Sequence, residues 1–386
     1  MKHLTDYEIA GLQAELNLAD GHAYHSLEEL FPSITQRLPE IWCKSDATRV
    51  SDAQDTFLDA FGRLIGSDTL RTQVKIRISP TSSNSIDIVS AFLNLHARRA
   101  ILVEPTFDNL ALLLRRRGCA LTALPEDDLF AAVDEVALLD LIDPTTFDTL
   151  FLVNPNNPTG AVVTEAQFKT LVAYCAKHNK LLVLDATFRF YNKARFDEYK
   201  FLADYGGQFI VIEDTGKTWP THDMKASLLA YQTQNDALLE TIFDEIYLCH
   251  SRFTLGLFTH LFDQTATKGI ETIVHHPIAK RQAILKEALA GLPFPFLIDR
   301  AQAEMPIEWI GTDSLGNRAC SMQVDEMLRA SGVHVLPGQH FYWNDPDRRV
   351  NRIRVSLAKP HDQVVQTVDQ LSKVLAQSSQ KLAGTS

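Results

Sequence analysis

The stretch Leu150-Phe-Leu-Val-Asn-Pro-Asn-Asn-Pro-Thr-Gly160 decides how the chain is read. Leu150–Val153 is apolar without alternation, the mark of a strand buried on both faces. Asn154–Gly160 then gathers two prolines, three asparagines and a glycine into seven residues. Proline fixes φ, asparagine bonds to nearby backbone and glycine reaches conformations closed to other residues. The string is therefore a rigid turn, able to aim an amide beyond the strand's end. Alone, it is also compatible with a plain strand-to-helix connection.

Runs of the same kind recur on both sides: Val74–Ile78, Ala100–Val103, Leu181–Asp185, Phe209–Glu213 and Ser227–Tyr231. Helix-length segments separate them, such as Thr164–His178 with Phe168, Leu171, Val172 and Cys175 at helical spacing. This alternation predicts an α/β fold whose mostly parallel sheet is covered on both faces. Ligands of such sheets sit beyond the carboxyl ends of the strands. From about residue 262 the pattern changes to helices at Ile278–Ala290 and Ser321–Ser331, then strands at Val333–Leu336 and Asn351–Val355. The expected division is an N-terminal helical arm (1–35), a large domain (36–261) and a smaller C-terminal α+β domain (262–386), with a frayed tail at Gln377–Ser386.

A chain of 386 residues with 45% hydrophobic and 22% charged residues suits an ordinary two-domain globular protein. Its net charge of −11 argues against nucleic acid or an anionic membrane as partner and is compatible with a cationic ligand. Cys43, Cys119, Cys175, Cys249 and Cys320 are scattered, with no CxxC pair. Neither a disulfide framework nor a metal site is expected. The first sixteen residues are polar and amphipathic rather than a signal peptide. No apolar run reaches the roughly 20 residues of a membrane helix. A cytoplasmic enzyme is the expectation.

Several polar residues follow the strand ends. Asp185 closes Leu181–Asp185, and Lys217 stands in Glu213-Asp-Thr-Gly-Lys217 after the next strand. Phe107 ends Glu104-Pro-Thr-Phe107, Thr81-Ser-Ser-Asn84 lies between a strand and a helix, and Arg354 opens Arg354-Val-Ser-Leu-Ala358. Singly, these read as a helix cap, a surface lysine and a core phenylalanine. Together with the 154–160 turn, in this order and at these intervals, they resemble the fold-type I, aspartate-aminotransferase-like enzymes that use pyridoxal 5′-phosphate (PLP). The resemblance spans roughly residues 50–360.

That resemblance implies PLP as cofactor and a homodimer. It implies Lys217 as Schiff-base lysine and general base, and Asp185 as partner of the protonated pyridine nitrogen, which makes the ring an electron sink. Asn157 would face the cofactor's O3′ and the substrate. Phe107 would stack on the ring. Ser82, Ser83 and Asn84 would cradle the phosphate at a helix N-terminus, and Arg354 would grip the substrate α-carboxylate through a bidentate fork. Departures are informative. Lys225 stands where an arginine is usual and meets the phosphate as a point charge. Phe188 replaces the usual tyrosine, and Asp214 replaces a phosphate-binding serine. A carboxylate is repelled by phosphate, so Asp214 is expected to face elsewhere, towards a cationic substrate.

The N-terminal segment holds Leu4-Thr-Asp-Tyr-Glu8 and Glu15-Leu-Asn-Leu-Ala-Asp-Gly-His-Ala-Tyr24. Thr5 or Asp6 can cap a helix running to about Asn17, and Asp20-Gly-His22 reads as a turn whose histidine would ordinarily be solvated. The segment is similar to the arm of the PLP-dependent L-arginine oxidases and hydroxylases. Carried over, this similarity implies a lid in which Thr5, Glu8, Asp20 and Asp214 meet a guanidinium and His22 reaches the cofactor. It further implies L-arginine and O2 as substrates, with 4-hydroxy-2-ketoarginine or dehydro-2-ketoarginine-type products. The alternatives are a conventional aminotransferase using a keto-acid acceptor and a PLP-binding regulatory domain.

Overall fold

Parallel strands with apolar residues on both faces need cover on both sides, and the computed structural model shows that arrangement. It describes residues 2–24, 27–96, 99–292, 294, 295, 303–313, 320–345 and 347–383. The strands are β1 Leu16–Asn17, β2 Lys75–Ser79, β3 Arg99–Glu104, β4 Ala120–Pro125, β5 Thr149–Val153, β6 Leu181–Asp185, β7 Gln208–Asp214 and β8 Ser227–Gln232. Later come β9 Ile307–Gly311, β10 Val333–His334, β11 Leu336–Pro337 and β12 Arg352–Ser356. Seven of them form one sheet in the order β2-β8-β7-β6-β5-β3-β4, in which β8 runs against both neighbours. Side chains alternate between two cores. Leu150, Leu152, Leu182 and Leu184 pack on one face, and Phe151, Val153, Leu181 and Val183 on the other.

A three-stranded antiparallel sheet, β11-β12-β9, carries its own core of Ile310, Ile353, Val355, Val324 and Leu328. The expected strand Val333–Leu336 is split at Val335 between two sheets, β10 pairing with β1 and β11 with β12. Besides β1 in the arm, two strands went unforeseen. β4 ends in a proline at the sheet's edge, and β9 has its apolar run broken by the fully buried Glu308. Arg252–Lys268 is one continuous helix packed along Val50–Ile65, so a division at residue 262 would cut it. Gly269 ends that helix. The last helix runs His361–Ala383 and includes most of the tail expected to fray; residues 384–386 lie outside the described residues. Among the described residues no helix is long and apolar enough to cross a membrane.

The arm departs most from expectation. Its helix is Leu4–Leu12 rather than a run to Asn17, and His3 is the N-cap, with Asp6 accepting the His3 N–H at 2.9 Å. Leu16 and Leu18 alternate with Asn17, a strand's period, and β1 pairs in parallel with β10. Leu18 is fully buried in the core of the smaller sheet, and its backbone bonds to His334 and Ser356 at 2.8 Å each. At the front of the helix, Leu4 N–H donates to the Asp108 carboxylate at 3.0 Å. Burial pushes the Asp108 carboxyl up to about 7, with the Glu8 carboxylate adding to the rise.

A carboxyl raised on folding favours the folded state below its unfolded pKa of about 4, and that advantage is lost as pH climbs towards 7. Asp108→Asn, which keeps an acceptor for Leu4 N–H without the charge, is therefore expected to lose less stability between pH 5 and pH 8 than the wild type. Denaturant midpoints at the two pH values, with hydrogen exchange of the Leu4 amide, check this. Parallel slopes in the two proteins would contradict it.

Candidate functional site

The register Val153↔Asp185↔Ile212 brings the ends of β5, β6 and β7 to one line, so the residues that follow share an edge. A cavity of about 550 Å³, counting its mouth, opens there. Lys217, Asp185, Asn157, Phe107, Ser82 and Ser83 wall it, joined by Phe188 and by Glu8 from the arm.

The 154–160 turn assigns its three asparagines by hydrogen bonding. Asn154 Oδ1 accepts from Val163 N–H at 2.9 Å. Asn156 is taken up by Thr106, Pro105 and the buried Glu126, which Thr159 also meets at 2.7 Å. Burial pushes the Glu126 carboxyl up to about 7. With two amides fixed in the framework and Gly160 at φ +72°, the turn leaves Asn157 facing the cavity. Asn157 Oδ1 accepts from Arg354 Nη1 at 3.5 Å, which leaves its amide N–H₂ as a donor.

Asp185 is 5% exposed, and burial raises its pKa while two bonds from Thr187 oppose the rise. A buried carboxyl of this kind is ready to take a cationic partner. Lys217 lies within a tight turn in which Thr215 O accepts from Trp219 N–H at 3.1 Å. Trp219 is buried against Phe190 and Phe262, and Tyr191 donates to the Lys217 carbonyl at 2.7 Å. The backbone of Lys217 is thus fixed from both sides. A Cβ on Gly216 would lie 2.8 Å from Lys225 Cδ, so a larger residue there would displace the Lys225 side chain.

Asp214 corrects the expectation drawn from its charge. It does not turn away from the phosphate cradle; it accepts from Ser82 N–H at 3.0 Å, at the start of the helix Ser82–His96, and also from Gly216 N–H. The free N–H groups of a helix start attract any anion, and the Asp214 carboxylate takes one of them. Asn84 bonds back to Thr81 at 2.8 Å and is not part of the cavity wall. Lys225 pairs with Asp223 at 3.5 Å.

The arm closes the other side. Arg354, 1% exposed, donates to Asn157 and to Ala19 O, and lies 3.8 Å from Glu8. Burial lowers its pKa against the pull of Glu8 and Asp20. A Cβ on Gly21 would lie 3.5 Å from Arg354 Nη1 and 3.9 Å from Lys217 Nζ, so the Asp20-Gly-His22 turn passes over both. His22 Nδ1 meets Asp20 Oδ1 at 2.8 Å. The Lys217 ammonium and burial lower the His22 pKa, and Asp20 opposes them. Thr5 lies on the exposed face of the helix, outside the cavity. Lys359, Tyr191 and Thr187 were missed. Thr187 was within reach, two residues after Asp185; the other two bond to the site only through the tertiary fold. Among the described residues, no group of three or more His, Cys, Asp or Glu is placed to hold a metal.

An amine, a buried carboxyl, an aromatic wall at Phe107 and a helix N-terminus around one cavity together fit a phosphorylated pyridine aldehyde. Residues 15–211, just over half of the chain, match the family of class I and II aminotransferases. Among curated relatives, the chain is 27% identical to the LL-diaminopimelate aminotransferase of Chlamydia pneumoniae over 45% of its own length and 44% of that protein's. It is 34% identical to the threonine-phosphate decarboxylase of Salmonella typhimurium over 24% of itself and 26% of that protein. These matches span less than half of either relative. The structure of MppP soaked with the product 2-ketoarginine superposes with a TM-score of 0.85 at 30% identity, covering 93% of this chain and 99% of that one. Aspartate aminotransferase from Thermus thermophilus with maleate superposes at 0.74 and 15% identity, over 97% of each chain, and speaks for the fold alone. The chain belongs to the class I and II aminotransferase family, with its fold-type I architecture and its pyridoxal 5′-phosphate cofactor.

Proposed function

We propose that this PLP enzyme is an O2-dependent oxidase of L-arginine, forming 2-ketoarginine-type products that are 4-hydroxylated or 3,4-dehydrogenated. The observation that carries this reading is Glu8. It sets a carboxylate in the cavity wall beside Arg354, on a helix that reaches the site from the N-terminus. An amino acid held by its α-carboxylate on Arg354 would then find an anion for a cationic side chain. The likeness to MppP, soaked with 2-ketoarginine, supports the choice of arginine.

The roles follow from position. Arg354 binds and orients the α-carboxylate, and its partners Glu8 and Ala19 O are exchanged for that ligand. Lys217 takes the proton from the substrate Cα. Asp185 would pair with the protonated ring nitrogen of PLP, and Asn157 would donate from its amide. Phe107 would support the PLP ring, and Ser82, Ser83 and Lys225 would receive its phosphate. PLP, when bound, supplies the electron sink that stabilises a carbanion at Cα. The arm keeps water out, which prevents simple return of the proton. Each pair of electrons leaving arginine reduces one O2 to hydrogen peroxide, water replaces the amine to release ammonia, and where the product is hydroxylated a second water adds to the unsaturated substrate left by a second such oxidation. His22, beside Lys217, moves protons on the oxidised substrate. As in the family's fold-type I relatives, the working unit is taken as a homodimer. The second reading, a conventional aminotransferase, is favoured by the names of the curated relatives.

In air, with L-arginine and no keto acid, the PLP-loaded chain is expected to consume O2, release ammonia and yield products of 2-ketoarginine mass or its hydroxylated or dehydrogenated forms. Turnover that needs an added keto acid and takes up no O2 would establish the aminotransferase. Glu8→Gln should weaken kcat/KM for arginine by about 2–5 kcal/mol, the usual cost of removing one member of a buried charge pair. His22→Ala should keep arginine binding and shift the mass profile towards simple oxidative deamination.

A further inference from the structure

Asp20 is fully buried, and its two oxygens are divided between two parts of the chain. Oδ1 accepts from the His22 backbone N–H at 2.9 Å and meets His22 Nδ1 at 2.8 Å. Oδ2 accepts from Asn17 Nδ2 at 3.3 Å and from Lys359 Nζ. Lys359 is itself 1% exposed and comes from the segment after β12, not from the arm. Its carbonyl accepts from Arg281 Nε at 2.8 Å, its neighbour Ala358 accepts from Tyr24 N–H at 2.8 Å, and its ammonium lies 4.5 Å from the Tyr24 ring centroid. A buried cation is costly unless paired, and Asp20 is the partner on hand.

We propose that Lys359 is a positioning residue of this site. By holding Asp20 Oδ2 it fixes the carboxylate so that Oδ1 keeps the proton of His22 on Nδ1, and it cancels the carboxylate's charge so that Nε2 stays an unprotonated acceptor. The inference rests on the reading of His22 as the proton-moving group and explains how that ring is made ready. Without the lysine, a lone buried carboxylate beside an imidazole favours the imidazolium, which has no lone pair to accept with. The surrounding charges agree. His22 faces Asp20, Lys217 and Lys225; Asp20 also faces Arg354; Lys359 also faces Arg354 and Glu8. Burial works against the Asp20 charge, but the His22 and Lys359 contacts outweigh it and hold the carboxyl below its ordinary range. Burial likewise pulls the Lys359 ammonium down while Asp20 pulls it up, and we take the pair as ionised.

The test is a titration of His22 by nitrogen NMR in PLP-loaded protein carrying ¹⁵N-histidine, with the His22→Asn variant for assignment. The wild type is expected to show a neutral ring protonated on Nδ1 at pH 7. Lys359→Met should raise the His22 midpoint by about one pH unit or more, the usual effect of changing one close charge. Lys359→Arg should leave it near the wild-type value. Lys359→Gln keeps a donor without charge, should give the same rise, and serves if the methionine variant does not fold. An imidazolium at pH 7 in the wild type, or a midpoint that neither neutral variant moves, overturns the proposal. No substrate is present in that measurement, so it stands apart from the arginine reading. With arginine, Lys359→Met should shift products as His22→Ala does and add nothing further in a His22→Ala background; additive shifts would mean that Lys359 does not act through His22. A protein showing the midpoint shift without arginine oxidation would defeat the substrate assignment and leave the role of Lys359 intact.

Discussion

Everything at this site depends on strand register. Because Val153, Asp185 and Ile212 lie side by side, a turn after β5, a carboxylate at the end of β6 and a lysine just past β7 arrive at one edge of the sheet. A slip of one residue would turn Asp185 to the opposite face. What holds the register is apolar packing on both faces, where Leu150, Leu152, Leu182 and Leu184 oppose Phe151, Val153, Leu181 and Val183. The polar residues beyond the strand ends contribute chemistry and little to that packing.

A second constraint is the gathering of buried charge between the arm and the rest of the chain. Arg354, Asp20 and Lys359 are each at most 1% exposed. Burying ions has a high desolvation cost, which only close partners offset, so such groups specify a geometry more than they add stability. Here they determine where the 20–22 turn sits. Leu18 adds apolar anchoring in the smaller core, and β1 adds backbone pairing with β10. The arm is thus tied to the small sheet by strand and charge, while its first helix leans on the large domain through Leu4 and Asp108.

Much of this was legible in the sequence, for physical reasons. Strands buried on both faces announce themselves as apolar runs, and a turn dense in proline and asparagine has few other uses, so the sheet and the 154–160 turn could be read directly. Asp185, Lys217, Asn157 and Phe107 stand just past strand ends, where such sheets gather ligand-facing residues, but their roles were read from the resemblance of the whole set to the aminotransferase-like enzymes. Short pairings were not legible. The alternation at Leu16–Leu18 is too short to outweigh the helical pattern before it, and the arm therefore read as a longer helix. Asp214 was misjudged because charge alone was weighed. The helix start at Ser82 offers N–H groups that attract a carboxylate as well as a phosphate. Lys359 could not have been found, since its meaning comes only from Asp20, 339 positions away in the chain.

The central claim is that Glu8 of the arm and Arg354 of the C-terminal domain together hold one arginine by both of its ends. A crystal structure of the PLP-loaded chain with L-arginine, grown without oxygen, tests it most directly. Expected is a substrate carboxylate on Arg354, freed from Glu8, with the guanidinium facing the Glu8 carboxylate and the 20–22 turn above Lys217. A guanidinium turned away from residues 4–22, or an α-carboxylate bound anywhere but Arg354, would contradict it.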